Sequence, residues 1–215
     1  YDIRPVYLTK NPFGNTFKRN HEGDYHCTDA EVRQMFSDAH HTTLPFDNQI
    51  LPNYTIHDID IASLKGYRQR FALKKDNHPW NELDDMAFMS KLGVYRVDRE
   101  TGEEGFTRAG ILMFGKTESI TDQACTPWYF VDYQEKISDD PQQRWTDRIF
   151  PDGTWEANLY QFFFRVYNKL TQTLPVPFQL DGVTRRDETT AHIAIREALV
   201  NTLVHCNYAV QGNIV

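Results

Sequence analysis

The chain has 215 residues, of which 40% are hydrophobic, 13% aromatic and 25% charged. This excludes a disordered tract and suits one large or two small packed domains. A net charge of −7 argues against a surface coated for phosphate binding, because nucleic-acid affinity rests on Lys and Arg, although a local basic face is still allowed. No apolar run approaches the roughly 18 residues of a membrane-spanning helix, so no membrane partner is expected. Cys27, Cys125 and Cys206 give no CxxC pair and no even disulfide framework, which makes a reducing, cytoplasmic setting the expectation.

Residues 1–26 read as extended and turn-rich. Val6 and Leu8 flank Tyr7 in a strand pattern, and Asn11, Pro12, Gly14 and Asn15 form a turn. Phe17 and Arg19 resume a strand that Gly23 ends, giving a hairpin with a basic tip of Lys10, Lys18 and Arg19. Thr28 with Glu31 three residues on is a capping box, and it predicts a helix over 29–39. Residues 40–54, with Pro45 and Pro52, read as a linker.

Asp58 is expected to open the next helix, with Ile61, Leu64, Tyr67 and Phe71 as its buried stripe. Asp84 caps a helix that runs through Leu92 and stops at Gly93. Residues 94–97 and the turn at 99–102 predict a strand and a wing-like hairpin. Thr107 caps a short apolar helix that Gly115 ends. Helix, helix, strand and wing, then helix is a winged-helix order. Residues 126–134 are aromatic and strand-like, and 144–150 read as a second strand. The longest helix candidate covers 154–173 and is stopped by Pro175 and Pro177. A short strand is expected over 178–183.

The last helix, 189–206, is mostly apolar but is interrupted every fourth residue by Glu197, Asn201 and His205. Residues four apart share a helix face. A carboxylate and an amide one turn apart can serve a nucleotide and its magnesium: an amide oxygen is a hard ligand, and a carboxylate can orient or deprotonate water. On spacing alone the stripe more often marks the solvent face of an amphipathic helix.

Other clusters are weighed the same way. His21, His26, His40 and His41 lie near Asp24 and Cys27 without metal-ligand spacing, so loop histidines are the reading. Lys10, Lys18, Arg19 and Arg33, interleaved with aromatic residues, could touch a nucleic-acid backbone, but acidic neighbours dilute the field and a solvated hairpin is an equal reading. Lys65, Arg68, Arg70, Lys74 and Lys75 read first as a solvated helix face. Arg185, Arg186, Asp187 and Glu188 read as a salt network before the last helix.

The string AIREALVNTLVHCNY, ahead of a strand, resembles the N-box helix of the GHKL ATPase superfamily, which includes gyrase B subunits, histidine kinases and MutL. The wider chain is similar to bacterial predicted transcriptional regulators with a Schlafen/Alba-type DNA-binding domain and a divergent GHKL-like ATPase module, often described as RecG-like ATP-dependent helicases. RPVYLTKNPFGNTFKRNHEGDYHCTDAEVRQM resembles the end of the Alba-type domain. HPWNELDDMAFMSKLGV and TRAGILMFGK resemble the middle region, and REALVNTLVHCNY with QGNIV resembles the ATPase entry.

The resemblance implies an α+β chain divided into five parts. These are the tail of an Alba/Schlafen-type domain (1–45), a linker (46–56), a winged-helix-like region (57–116), a strand and long-helix region (117–175) and the truncated start of a GHKL-like fold (176–215). It implies ATP and Mg²⁺ as cofactors and DNA as partner in a longer parent protein, of which this chain is an internal piece with an incomplete nucleotide site. By position, Glu197 matches the water-activating glutamate and Asn201 the magnesium-binding asparagine; His205, Arg196 and Tyr208 match neighbouring positions. The same resemblance admits a helicase-like or Schlafen-type nuclease enzyme. A third class is an interaction module or homo-oligomer that uses the aromatic stretch 127–133.

Overall fold

The computed structural model describes residues 10–20, 23–40, 46–137, 139–140, 142–175, 180–181, 184–185 and 189–209. The chain forms two compact units, Tyr1–Gln49 and Ile50–Val215. The fold class is α+β, as expected: among the described residues, helices with four separate two-stranded antiparallel sheets. No helix among the described residues is long and apolar enough to cross a membrane.

In the first unit, β1 (Phe17–Asn20) pairs with β2 (Gly23–His26). The register sets Phe17 opposite His26 and Lys18 opposite Tyr25. The preceding turn is closed by Asn15 N donating to Pro12 O at 3.3 Å, with Gly14 at φ +75°. Helix α1 (Asp29–His40) begins at the expected capping box. Thr28 N donates to Glu31 Oε2 at 2.8 Å, and Glu31 N donates to Thr28 Oγ1 at 3.3 Å. Thr16, Cys27 and Val32 are buried.

Glu31 also accepts a hydrogen bond from Lys18, which ties the hairpin to the helix. That bond, followed by the Thr28 N–H, lowers the Glu31 carboxyl from 4.5 to about 2. A depressed carboxyl stabilises the fold above its unfolded value and stops doing so as pH falls through its folded value. The hairpin–helix link should therefore be complete above about pH 4.5 and lost toward pH 2. Both side chains are part-exposed, so solvent screens the effect and keeps it small. A pH titration of the Glu31 carboxyl by NMR should give the low midpoint, and Lys18→Ala should return it to the ordinary carboxylate range. A wild-type midpoint above 4 would discard the link.

The second unit begins inside the stretch 46–56 that was expected to be a linker. Leu51 is buried, its N–H donates to Phe106 O at 2.9 Å, and Ile50 bridges to Thr107. An apolar pair flanked by prolines can join a core as readily as it can link two. The regions separately expected at 57–116, 117–175 and 176–215 all fall within this unit.

Helix α2 (Ile61–Lys74) starts two residues later than expected, because Asp60, not Asp58, is its N-cap and accepts from Ala62 N and Ser63 N. Asp58 instead closes a capping box with Thr55 on a short 3-10 turn and accepts from Ser119 Oγ at 2.8 Å. Helix α3 (Asp85–Leu92) has the expected Asp84 cap and a left-handed Gly93 stop at φ +77°. Strands β3 (Tyr95–Val97) and β4 (Glu104–Phe106) form the expected hairpin, followed by α4 (Arg108–Phe114) under Thr107. Thr107 Oγ1 accepts from Gly110 N at 3.1 Å and donates to Gly93 O at 2.8 Å.

A short helix α5 (Thr117–Ile120) leads to the aromatic stretch. Of that stretch only Tyr133 and Gln134 are strand, in β5 (Tyr133–Glu135), which pairs with β6 (Asp147–Ile149). Helix α6 (Leu159–Thr171) starts at an Asn158 cap, five residues after the expected start at 154. Two-residue strands β7 (Leu180–Asp181) and β8 (Thr184–Arg185) precede α7 (Thr190–Val204). The core gathers Leu64, Phe88, Ile111 and Phe114 with Phe162 and Val166 of α6. Tyr67 lies edge-on to Phe88, Phe114 and Tyr160 at 6.2, 5.4 and 6.2 Å.

Candidate functional site

The candidate site is one face of α7. The helix starts where Thr189 and His192 form a capping box, with Thr189 Oγ1 2.7 Å from His192 Nδ1. His192 is buried at this end, and Leu199 and Leu203 pack against the core further along. Successive core-facing residues are three or four apart, so the opposite face is turned to solvent. That face holds Glu197, Asn201 and His205, all exposed. Among the described residues none donates to the Glu197 carboxylate or engages the side chains of Asn201 and His205. The Asn201 carbonyl accepts from His205 N at 3.0 Å, which ends the helix. Val200 and Val204 are also exposed, at 40% and 67%. They lie on the same side, three residues after Glu197 and Asn201.

Arg196 and Tyr208 lie differently. Arg196 is half-buried, one turn after His192, on the flank toward the core. The Tyr208 hydroxyl donates to Leu203 O at 2.8 Å, and its ring stands 5.9 Å from Tyr129. Tyr208 therefore fastens the end of α7 to the core, which holds the stripe in place. The structure brings Glu197, Asn201 and His205 together and sets Arg196 and Tyr208 behind them. His192 was not singled out in the sequence. Its signal is present, though: Thr189-x-x-His192 is capping-box spacing with an imidazole in place of a carboxylate. Residues 186–188 and 210–215 lie outside the described residues.

The expected nucleic-acid residues belong to the first unit. Lys10 is exposed. Lys18 is bound to Glu31, and Arg19 faces Asp24 at 3.7 Å. Arg33 lies over the Phe13 ring at 5.9 Å. In the second unit, Arg68 pairs with Asp85 at 2.6 Å and covers Phe88, while Arg70 donates to Tyr160 Oη at 3.2 Å and covers Phe164. Those two arginines are tied up in packing contacts, although Arg70 is exposed as well, beside the exposed Lys65, Lys74 and Lys75 of that helix and its cap. His21 and His41 lie outside the described residues. No group of three or more His, Cys, Asp or Glu among the described residues is placed to hold a metal.

A family model described as a domain of unknown function, DUF8451, matches residues 33–132. The match runs from α1 past α5 and ends before α6 and α7, so the stripe lies outside it. No curated protein and no solved structure matches the chain.

Proposed function

We propose that this chain belongs to a DNA-binding transcriptional regulator with a GHKL-like ATP-binding module, in which α7 forms one wall of the nucleotide site. The observation that carries the reading is the unengaged stripe of Glu197, Asn201 and His205 on α7, flanked by two exposed valines. Val200 and Val204 give the stripe an apolar flank of the kind a face closing over a ligand uses.

The donor set fits the group. Mg²⁺ keeps several waters and takes one or two protein oxygens beside the phosphates of its nucleotide. The Asn201 amide oxygen supplies one such ligand. The Glu197 carboxylate, one turn earlier, is placed to accept a proton from water or to orient it. Bound ATP and its magnesium would supply the phosphoryl chemistry. Tyr208 and the buried His192 hold the helix that presents these two side chains. The order α2, α3, β3–β4 hairpin, α4 favours a winged-helix-like region, and Lys10, together with Arg19 of the β1–β2 hairpin, favours a DNA contact in the first unit.

The test uses the full-length protein. Wild type should bind Mg-ATP and hydrolyse it, and Glu197→Ala should lower turnover by about 100-fold or more with binding retained. Asn201→Ala should weaken Mg²⁺-dependent binding instead. In a mobility-shift assay the protein should bind DNA with an affinity that falls steeply with salt. Equal turnover in wild type and Glu197→Ala would remove the assigned role. A wild type that binds no Mg-ATP would remove the nucleotide site.

A further inference from the structure

Helix α2 carries charge of one sign. From Ile61 to Lys75 the chain has Lys65, Arg68, Arg70, Lys74 and Lys75 and no acidic residue, in a protein whose net charge is −7. Leu64, Tyr67 and Phe71 turn the apolar side of the helix to the core. The outer side presents Lys65, Gln69, Arg70, Leu73 and Lys74, all exposed, and Lys75 continues it at the cap. Positions 65, 69 and 73 are one turn apart, with 70 and 74 beside them, so these side chains share one face.

The cations of this face are not neutralised within the chain. The half-buried Arg68 is bound to Asp85 and to the Leu83 carbonyl. Among the described residues, no carboxylate lies within ion-pair distance of Lys65, Arg70, Lys74 or Lys75. Arg70 is anchored but exposed: its Nε donates to Tyr160 Oη at 3.2 Å, and its guanidinium lies 3.9 Å from the Phe164 ring centre. The nearest acid in sequence is Asp76, just past the cap, which accepts from Asn77 N at 3.1 Å.

We infer that the outer face of α2 holds the phosphate backbone of duplex DNA. The inference rests on the DNA reading above and gives the second unit a contact of its own. Composition selects the occupant. Lysine is depleted from protein–protein interfaces, so a protein partner fits poorly. A helix that lies on a membrane buries an apolar face in lipid, whereas here the apolar side is in the core and only Leu73 points outward. A phosphate backbone needs what this face has: point charges on flexible stems, one anchored guanidinium and an amide. Lys65 and Lys74 stand about 14 Å apart along the helix axis. One strand of a duplex offers a phosphate every 3.4 Å or so of its axis, so several come within reach. The elements that a helix-turn-helix would use carry the opposite sign. Its second helix enters the major groove by its N-terminal residues, and α3 starts at Asp84 and Asp85. The β3–β4 hairpin sets Asp98, Glu100, Glu103 and Glu104 against Arg96 and Arg99. The contact is therefore made by α2, and it positions the duplex without reading its sequence.

The test measures binding of the full-length protein to a duplex of mixed sequence from about 50 to about 200 mM salt. Lys65→Gln, Lys74→Gln and Lys75→Gln together should weaken binding at least about 10-fold at the lower salt and make the slope of log affinity against log salt shallower by about 2 to 3, one phosphate contact for each lysine. All three side chains are exposed, so the thermal midpoint should hold. Arg99→Gln, Lys136→Gln and Arg144→Gln change the net charge equally at exposed sites outside α2 and should leave the slope as it is. A wild type that binds DNA with a slope indifferent to the α2 substitutions would overturn the inference and leave the DNA reading standing. Equal losses in the two triple variants would reduce the effect to net charge and overturn it as well. Binding to phosphatidylserine vesicles that the α2 substitutions abolish, with DNA binding intact, would assign the face to lipid instead. A wild type that binds no duplex even at the lower salt would remove the DNA reading itself, and this contact with it.

Discussion

Replacing Asn158 by alanine should lower the stability of the Ile50–Val215 unit by about 3 kcal/mol, read as a shift in denaturant midpoint at constant m-value. Asn158 is fully buried where three elements meet. Its Oδ1 accepts from Gln161 N at 2.9 Å and so caps α6. Its Nδ2 donates to Gly115 O at 3.0 Å, at the end of α4, and to Ser63 Oγ at 3.1 Å, on α2. The lost cap costs about 1 kcal/mol. The larger part comes from the Gly115 carbonyl, which is left buried without a donor at about 1–3 kcal/mol. Ser63 suffers less, because its hydroxyl still donates to Asp60 and accepts from Gln161 Nε2. Asn158→Asp separates the contributions: it keeps the cap oxygen but turns a carboxylate oxygen toward the Gly115 carbonyl. That variant should be no more stable than the alanine variant. If alanine cost only about 1 kcal/mol, Asn158 would be a cap and nothing more.

Asn158 also shows where the sequence stops being readable. Its side chain matches the N-cap rule, yet Thr154 and Asp152 match it as well. The choice is made by Gly115 and Ser63, which lie 43 and 95 residues away in sequence. The same holds for Asp58 and Asp60: both are good caps, and Ser119 claims Asp58. Where cap and stop were decided locally they were legible, as at Thr28 with Glu31, Asp84 with Gly93, and Thr107. In the stretch 46–56 Pro52 and several polar residues look like a linker, and the two units do divide there at Gln49, but Ile50 and Leu51 already belong to the second unit, held by partners near Phe106. The four-residue spacing of Glu197, Asn201 and His205 made their common face legible, since a helix needs no distant partner to align them. That the face stays open while His192, Leu199 and Leu203 turn inward required the packing of α7 on α6. Along the aromatic stretch, composition predicted strand over 126–134, but a strand needs a neighbour, and β6 reaches only Tyr133–Glu135.

Gly110→Ala sets local preference against tertiary contact, and the sign of its effect tells which governs the middle of the chain. Gly110 lies within α4, where alanine is intrinsically better by about 1 kcal/mol. Its backbone is not in a left-handed conformation, so nothing local opposes the change. An added Cβ, however, would stand 2.7 Å from Val94 O and 2.8 Å from Val94 Cα and Cγ1. Two of those atoms are backbone and cannot rotate away. To make room, α4 must withdraw from the chain entering β3. Val94 O is also the acceptor for Thr107 N at 2.9 Å, and Thr107 caps α4 through Gly110 N. Withdrawal therefore weakens the bond that closes the β3–β4 hairpin and disturbs the cap together. Overpacking of this kind costs about 3 kcal/mol, well beyond the gain in helix propensity. Gly110→Ala should accordingly lower the midpoint of the Ile50–Val215 unit and raise amide exchange at Thr107. A variant as stable as wild type would mean that α4 moves freely against Val94, and that the helix–hairpin–helix arrangement is held by something other than this approach.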